Sequence, residues 1–226
     1  MAGLLLLQAT PAQTSGRLDH GHSVAQEAAA PGADFGAAAP APDARRLADW
    51  IARTQDNHGK TFFLIDKVRA TLYVFDRYAR LQSSTPVLLG MARGDDSVPG
   101  IGERPMAQIL PTERTTPAGR FVAEVGRNLQ GEDVVWVDHD AAVSMHRVRT
   151  SNPMERRTER LGTAAVDDNR ISYGCINVPV AFYNKHVQTM FAANRTAIVY
   201  VLPETRSLQD QFGLHMLTAG AGGLSP

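Results

Sequence analysis

Cys175 is the sole cysteine of the chain and stands in the stretch Ile171-Ser172-Tyr173-Gly174-Cys175-Ile176-Asn177-Val178-Pro179. A cysteine thiolate attacks carbonyl carbon to form a thioester. For this it needs a lowered pKa, a proton-transfer partner and hydrogen-bond donors aimed at the developing oxyanion. Helical spacing from Val180 to Ala193 predicts a helix directly after the motif. That would place Cys175 in a tight turn at the helix entrance, where unpaired backbone N–H groups favour the thiolate.

The partner of a cysteine nucleophile is usually a histidine, and the chain has seven. His20, His22 and His58 fall in tail or linker, His215 in the far tail, His139 in a turn between strands and His186 on the helix after the motif. His146 differs: it ends the strand Val143-Ser144-Met145-His146-Arg147-Val148, where one ring nitrogen can face a thiol while the other donates to a backbone carbonyl. A strand histidine is also an ordinary structural residue, so on this argument both readings stand. Gly174 permits close backbone approach, and the N–H groups of Tyr173, Gly174 and Cys175 can form an oxyanion hole. Ser172 and Asn177 supply short polar side chains, either to orient the turn and cap the helix or to hold a substrate amide.

The elements that must position these groups are mostly strands. Phe62–Ile65 reads as a buried strand, and Thr71 to Tyr78 alternates, with Leu72 and Val74 on one face and Tyr73 and Phe75 on the other. The short link between them makes a hairpin. Pro86–Gly90, the segment from Thr115 to Val125, Val134–Val137, Ala142–Val148 and Thr196–Leu202 supply further strands, and residues 91–119, with four prolines and four glycines, read as a long functional loop. Asn152 and Pro153 resemble an N-cap and first helical residue, with a stop at Leu161-Gly162. The short helix between them carries Glu155, Arg156, Arg157, Glu159 and Arg160, either a solvated face or a basic rim that meets substrate carboxylates. Few helices and no alternating βαβ series predict a mainly β fold, a sandwich or open barrel, with a helix after Cys175 and a short inserted helix beside it.

The flanks read differently. Leu4–Leu7 followed by small residues, with no basic residue before it, suggests the back half of a signal peptide over 1–14, or else a cytosolic tail. Residues 15–42, rich in Ala, Pro and Gly, read as a disordered linker, 43–58 as a helix capped by Asp43, 59–204 as the domain, and 205–226 as a partly free tail. Twenty-three basic and twenty-three acidic residues in 226 leave no net charge, which excludes the footprint of a nucleic-acid binder. A single cysteine excludes an intramolecular disulfide and a multi-cysteine metal site. No Gly-rich phosphate loop follows a strand.

Ser172-Tyr173-Gly174-Cys175-Ile176-Asn177 resembles the Ser/Thr-His-Gly-Cys-hydrophobic-Arg/Asn signature of the L,D-transpeptidase catalytic (YkuD) domain. Phe63–Asp66 with Leu72–Phe75 looks like the opening hairpin of that family, Thr116-Pro117-Ala118-Gly119-Arg120-Phe121 matches its Thr-Pro-x-Gly-x-Phe segment, and Met145-His146 falls where it carries its upstream histidine. The resemblance covers about residues 60–204. It departs at Tyr173, which replaces the usual histidine, and in the 29-residue spacing from His146 to Cys175, lengthened by the inserted helix. Arg147 follows His146 where many relatives have Gly or Ser, which makes a backbone carbonyl the expected orienter of the ring. What the resemblance implies is a cysteine acyltransferase of peptidoglycan: Cys175 as nucleophile, His146 as general acid and base, Tyr173, Gly174 and Ser172 at the oxyanion and turn, and Asn177, Arg147 and Arg156 toward substrate. It implies peptidoglycan stem peptides as partner, no cofactor or metal, and a periplasmic or otherwise extracytoplasmic location. The same acyl-enzyme fits an L,D-carboxypeptidase with water as acceptor, and Tyr173 motivates a third reading, a wall-binding module without catalysis.

Overall fold

A computed structural model describes residues 32–214. The expected signal segment, His20, His22, His215 and the last residues of the tail lie outside them. The fold is mainly β. Eight strands form one sheet: β1 (Phe62–Asp66), β2 (Thr71–Phe75), β3 (Leu81–Pro86), β5 (Gly119–Arg127), β6 (Asp133–Asp138), β7 (Val143–Arg147), β9 (Ile176–Val178) and β10 (Thr196–Val201), in the order β3-β2-β1-β10-β5-β6-β7-β9. β4 (Leu89–Gly90) and β8 (Arg170–Ser172) pair separately and in parallel. Within the eight-stranded sheet pairing is antiparallel except at β1–β10 and β7–β9.

Beyond β3 the chain bends at Val87, whose N–H reaches the Ala70 carbonyl, and Leu88 then exchanges hydrogen bonds of 2.8 and 2.9 Å with Asn177 of β9. The segment 81–90 thus touches β2 with one end and β9 with the other, and the two edges of the sheet are brought almost to closure. Of the expected strand over 86–90, Pro86 ends β3 and only Leu89–Gly90 forms β4, on either side of this bend; the strand over 81–85 was not expected.

The sheet buries both faces where β1, β2 and β10 meet, which explains the unbroken apolar run of β1. Inside, Phe63, Ile65, Leu72, Val74 and Val199 join Met145 and Ile176 in one core. A helical run closes it: α3 (Val180–Phe182), a π turn (Tyr183–Gln188) and α4 (Thr189–Asn194), which bury Tyr183, Val187 and Phe191. Outside, Phe62, Tyr73, Phe75 and Tyr200 pack beneath α1 (Pro42–Thr54) through Leu47 and Ile51. The alternation of β2 is the expected one: Leu72 and Val74 face inward, Tyr73 and Phe75 face α1.

Several expectations are corrected. The helix begins at Pro42 after Ala41, so Asp43 lies in its first turn and pairs with Arg46 rather than capping. Residues 33–38, expected as linker, are tied to the domain. Asp34 exchanges hydrogen bonds with Ala79 and Leu81, and Phe35 is 2% exposed among Tyr73 and Phe75. The stretch 205–212, expected as free tail, is docked by Asp95, which accepts from the N–H groups of Glu204, Thr205 and Arg206, and by Leu208 of α5 (Leu208–Phe212). The loop 91–118 is ordered by three short 3-10 turns. The inserted helix is a turn at Pro153–Glu155, capped by Asn152 as expected, then a break at Arg156 and α2 (Arg157–Gly162).

Candidate active site

Cys175 does not lie at a helix entrance. It sits in the turn Tyr173–Cys175 between β8 and β9, and the helical run starts only at Val180. Its thiol is therefore set by side chains and strand N–H groups, not by a helix dipole. β9 lies in parallel beside β7, with Met145 opposite Ile176 and His146 opposite Asn177. This pairing lays the strand carrying His146 alongside the turn carrying Cys175. Because alternate residues of a strand share a face, Ser144 and His146 both point toward the sulfur. The Ser144 N–H lies 3.5 Å and its hydroxyl 3.6 Å from Sγ, and the Ala142 carbonyl 3.7 Å. Ser144 escaped the sequence reading, although its place two residues before His146 was the available signal.

Burial pushes the Cys175 thiol pKa up. Hydrogen bonding to His146 and its charge, then the Ser144 N–H and hydroxyl, outweigh this, and the net shift is downward. His146 Nδ1 lies 2.7 Å from the Arg147 carbonyl. A carbonyl only accepts, so Nδ1 carries the proton and Nε2 is left for proton transfer. The backbone carbonyl is the expected orienter. Of the other described histidines, His139 contacts Glu124 and stacks on Trp136, His186 packs on Phe182, and His58 is exposed in the turn after α1.

The turn is held rigidly. Ser172 Oγ donates to the Cys175 carbonyl at 2.6 Å and accepts the Gly174 N–H at 3.1 Å. The Gly174 N–H is thus taken, and the expected three-donor oxyanion hole loses its middle member. The N–H groups of Tyr173 and Cys175 have no backbone or side-chain acceptor among the described residues. Gly174 has φ +128°, and a Cβ there would stand 2.8 Å from the Thr115 carbonyl oxygen, so glycine is required on both counts. Tyr173 replaces the histidine of the signature, and its ring supports the Arg114 guanidinium 3.7 Å from the centroid.

Of the three residues expected at the substrate, Asn177 lines the cavity that contains Cys175, and Arg147 and Arg156 do not. Asn177 is fully buried. It donates to the Cys175 carbonyl at 3.1 Å and accepts from Arg157, which reaches in from the inserted segment and also pairs with Glu155. The Arg147 side chain binds Asp133 at 2.8 Å and Asn184 at 2.7 Å over the Tyr183 ring. Arg156 is exposed, pairs with Glu159 and lines a different pocket, away from Cys175. Cations do line the cavity of about 270 Å³ that contains Cys175, His146, Tyr173 and Met106, but they are Arg149 and Arg157. Among the described residues no group of three His, Cys, Asp or Glu side chains is arranged to hold a metal, and no helix is long and apolar enough to cross a membrane.

No known family and no curated protein matches the chain. Among solved structures it is similar to the catalytic domain of an Enterococcus faecium L,D-transpeptidase studied by NMR (15% identity, TM-score 0.33, 64% of this chain and 98% of that one). It is also similar to the crystal structure of a cysteine-to-serine mutant of an E. faecium L,D-transpeptidase (15%, 0.33, 63% and 50%). A third is the L,D-transpeptidase LdtMt1 in complex with imipenem (18%, 0.36, 63% and 58%). The chain thus spans about half the length of two of these three. Likeness of this degree carries no chemistry, and the case for a reactive centre rests on Cys175, Ser144 and His146.

Proposed function

We propose that this protein is an extracytoplasmic cysteine acyltransferase acting on peptidoglycan stem peptides, an L,D-transpeptidase. One observation carries the reading: the parallel pairing of β7 with β9 sets the chain's sole thiol against Ser144 and a histidine whose tautomer is set by the Arg147 carbonyl. The motif resemblance supplies the substrate class.

In this reading the Cys175 thiolate attacks the carbonyl of the third residue of a stem tetrapeptide. The oxyanion forms beside the Cys175 N–H. Protonated His146 gives its proton to the departing D-alanine amine, leaving a thioester. An acceptor amine, such as the side chain of a second stem, then loses a proton to His146 and displaces the thiolate, which restores the enzyme and closes a 3→3 cross-link. Arg149 suits the donor's terminal carboxylate. Its present partner Glu132 is exposed and solvent screens such a pair, so the exchange costs little.

Incubation of the purified protein with disaccharide-tetrapeptide, followed by mass spectrometry, tests the reading. A cross-linked dimer is expected. Tripeptide alone would transfer the assignment to an L,D-carboxypeptidase, and no turnover with a thiol no faster than a model thiol would leave a wall-binding module.

A further inference from the structure

Thr116 lies in the segment before β5, is 1% exposed, and touches the nucleophile turn from behind. Its Oγ1 is 2.8 Å from the Gly90 nitrogen and 2.8 Å from the Gly174 carbonyl oxygen. The Gly90 N–H can only donate, so the hydroxyl must spend its single proton on the Gly174 carbonyl. In a trans peptide, C=O and N–H point in opposite directions. Pulling the Gly174 carbonyl back toward Thr116 therefore turns the N–H of the same peptide unit, that of Cys175, the other way. No acceptor among the described residues takes that N–H. The following peptide is fixed as well, since the Cys175 carbonyl is held by Ser172 and Asn177. The approach is too close for any side chain: a Cβ on Gly90 would meet the Arg114 carbonyl oxygen at 2.3 Å and the Thr116 nitrogen at 2.7 Å. Behind Thr116, the buried ammonium of Lys67 donates to the Thr116 carbonyl at 3.0 Å and so fixes its backbone.

We infer that Thr116 is the positioning residue of the oxyanion site: its hydroxyl locks the Gly174–Cys175 peptide so that the Cys175 N–H faces the tetrahedral intermediate. This deepens the acyl-transfer reading and rests on it. Thr116 touches no substrate. It acts through the peptide unit and leaves the thiol's own environment of Ser144 and His146 unchanged. It thus affects carbonyl attack but not displacement at a saturated carbon, which builds no oxyanion.

Two reagents separate these roles. In the acyl-transfer reading a carbapenem would acylate Cys175 by carbonyl attack: an S–C bond forms, the lactam C–N bond breaks and the nitrogen takes up a proton. Iodoacetamide alkylates it by displacement of iodide. Thr116→Val is expected to slow acylation by at least ~10-fold, toward the ~100-fold seen when an oxyanion donor is deleted outright, while alkylation stays within about twofold of the wild type by that same reasoning. Thr116→Ser, which keeps the hydroxyl, should restore acylation. Equal loss in both reactions, no loss in either, or failure of serine to rescue would overturn the inference. A wild-type protein that the carbapenem does not acylate would instead sink the acyl-transfer reading.

Discussion

Removing the Lys67 ammonium gives the sharpest test of how the site is held from behind. Lys67 and Asp95 are fully buried, 2.8 Å apart, and Lys67 also donates to the carbonyls of Gly94 and Thr116. Glu204 stands 3.7 Å from the ammonium and takes Arg170 at 2.6 Å, so the four charges balance. Losing one member of a buried pair costs about 3–5 kcal/mol. In Lys67→Met, Asp95 keeps the N–H groups of Glu204, Thr205 and Arg206 and the Thr205 hydroxyl, which favours the lower end, about 3 kcal/mol. Asp95→Ala removes the counter-ion and all four of those contacts together, and should cost more. At ~2–4 °C per kcal/mol for a chain of this size, the methionine variant should melt roughly 6–12 °C lower. Urea unfolding measures both variants, and limited proteolysis reports release of the segment after Glu204. Burial pushes the Asp95 carboxyl up, but hydrogen bonds from Lys67, Thr205 and the 204–205 backbone hold it far below the usual carboxylate range. Its contribution is therefore complete above its unfolded value of about 3.9 and fades as pH falls below that. A Lys67→Met loss under ~1 kcal/mol, or an Asp95→Ala loss no larger than that of Lys67→Met, would refute this account of the buried quartet.

Gly174→Ala forces a side chain onto φ +128° and into the Thr115 carbonyl. It should cost about 1–3 kcal/mol by chemical denaturation and abolish carbapenem acylation, and unchanged stability would contradict the strain. The rate of iodoacetamide alkylation against pH should show a wild-type thiol midpoint below that of a free cysteine. In His146→Ala the midpoint should rise above the wild type, because burial is then opposed only by Ser144. Coincident profiles would remove His146 from the site. Tyr173→Phe keeps the ring beneath Arg114 and should leave alkylation and acylation within about twofold, since cation–π attraction needs the ring and not the hydroxyl. A tenfold fall would assign the hydroxyl a proton-transfer role.

Cys175 and His146 were legible because both are locally marked: a lone thiol after glycine, and a histidine at the end of an apolar strand. The hairpin β1–β2 was equally plain, through the alternation of Leu72 to Phe75. What misled was length. β9 is three residues long, and Ile-Asn-Val before Pro179 looked like the approach to a helix rather than a strand. With β9 unseen, the parallel pairing of His146 with Asn177 was invisible, and with it the hydrogen bonds that tie Asn177 to the Cys175 carbonyl and to Arg157. Arg157 and Arg156 are adjacent and chemically alike. Only the αL break at Arg156 turns one into the site and the other away. Phe35 was lost in an Ala- and Pro-rich stretch, because one aromatic residue gives no periodicity, and its burial depends on Tyr73, Phe75 and Arg45 from distant elements.

The central claim is that Cys175 forms a thioester with a stem tetrapeptide and expels its D-alanine. Intact-protein mass spectrometry after brief incubation with disaccharide-tetrapeptide, quenched in acid, reads this directly. The account predicts an adduct with the mass of the donor less D-alanine, mapped to Cys175 and absent from Cys175→Ala. A wild-type protein that shows no adduct and releases no D-alanine, while its thiol is still alkylated faster than a model thiol, would contradict it.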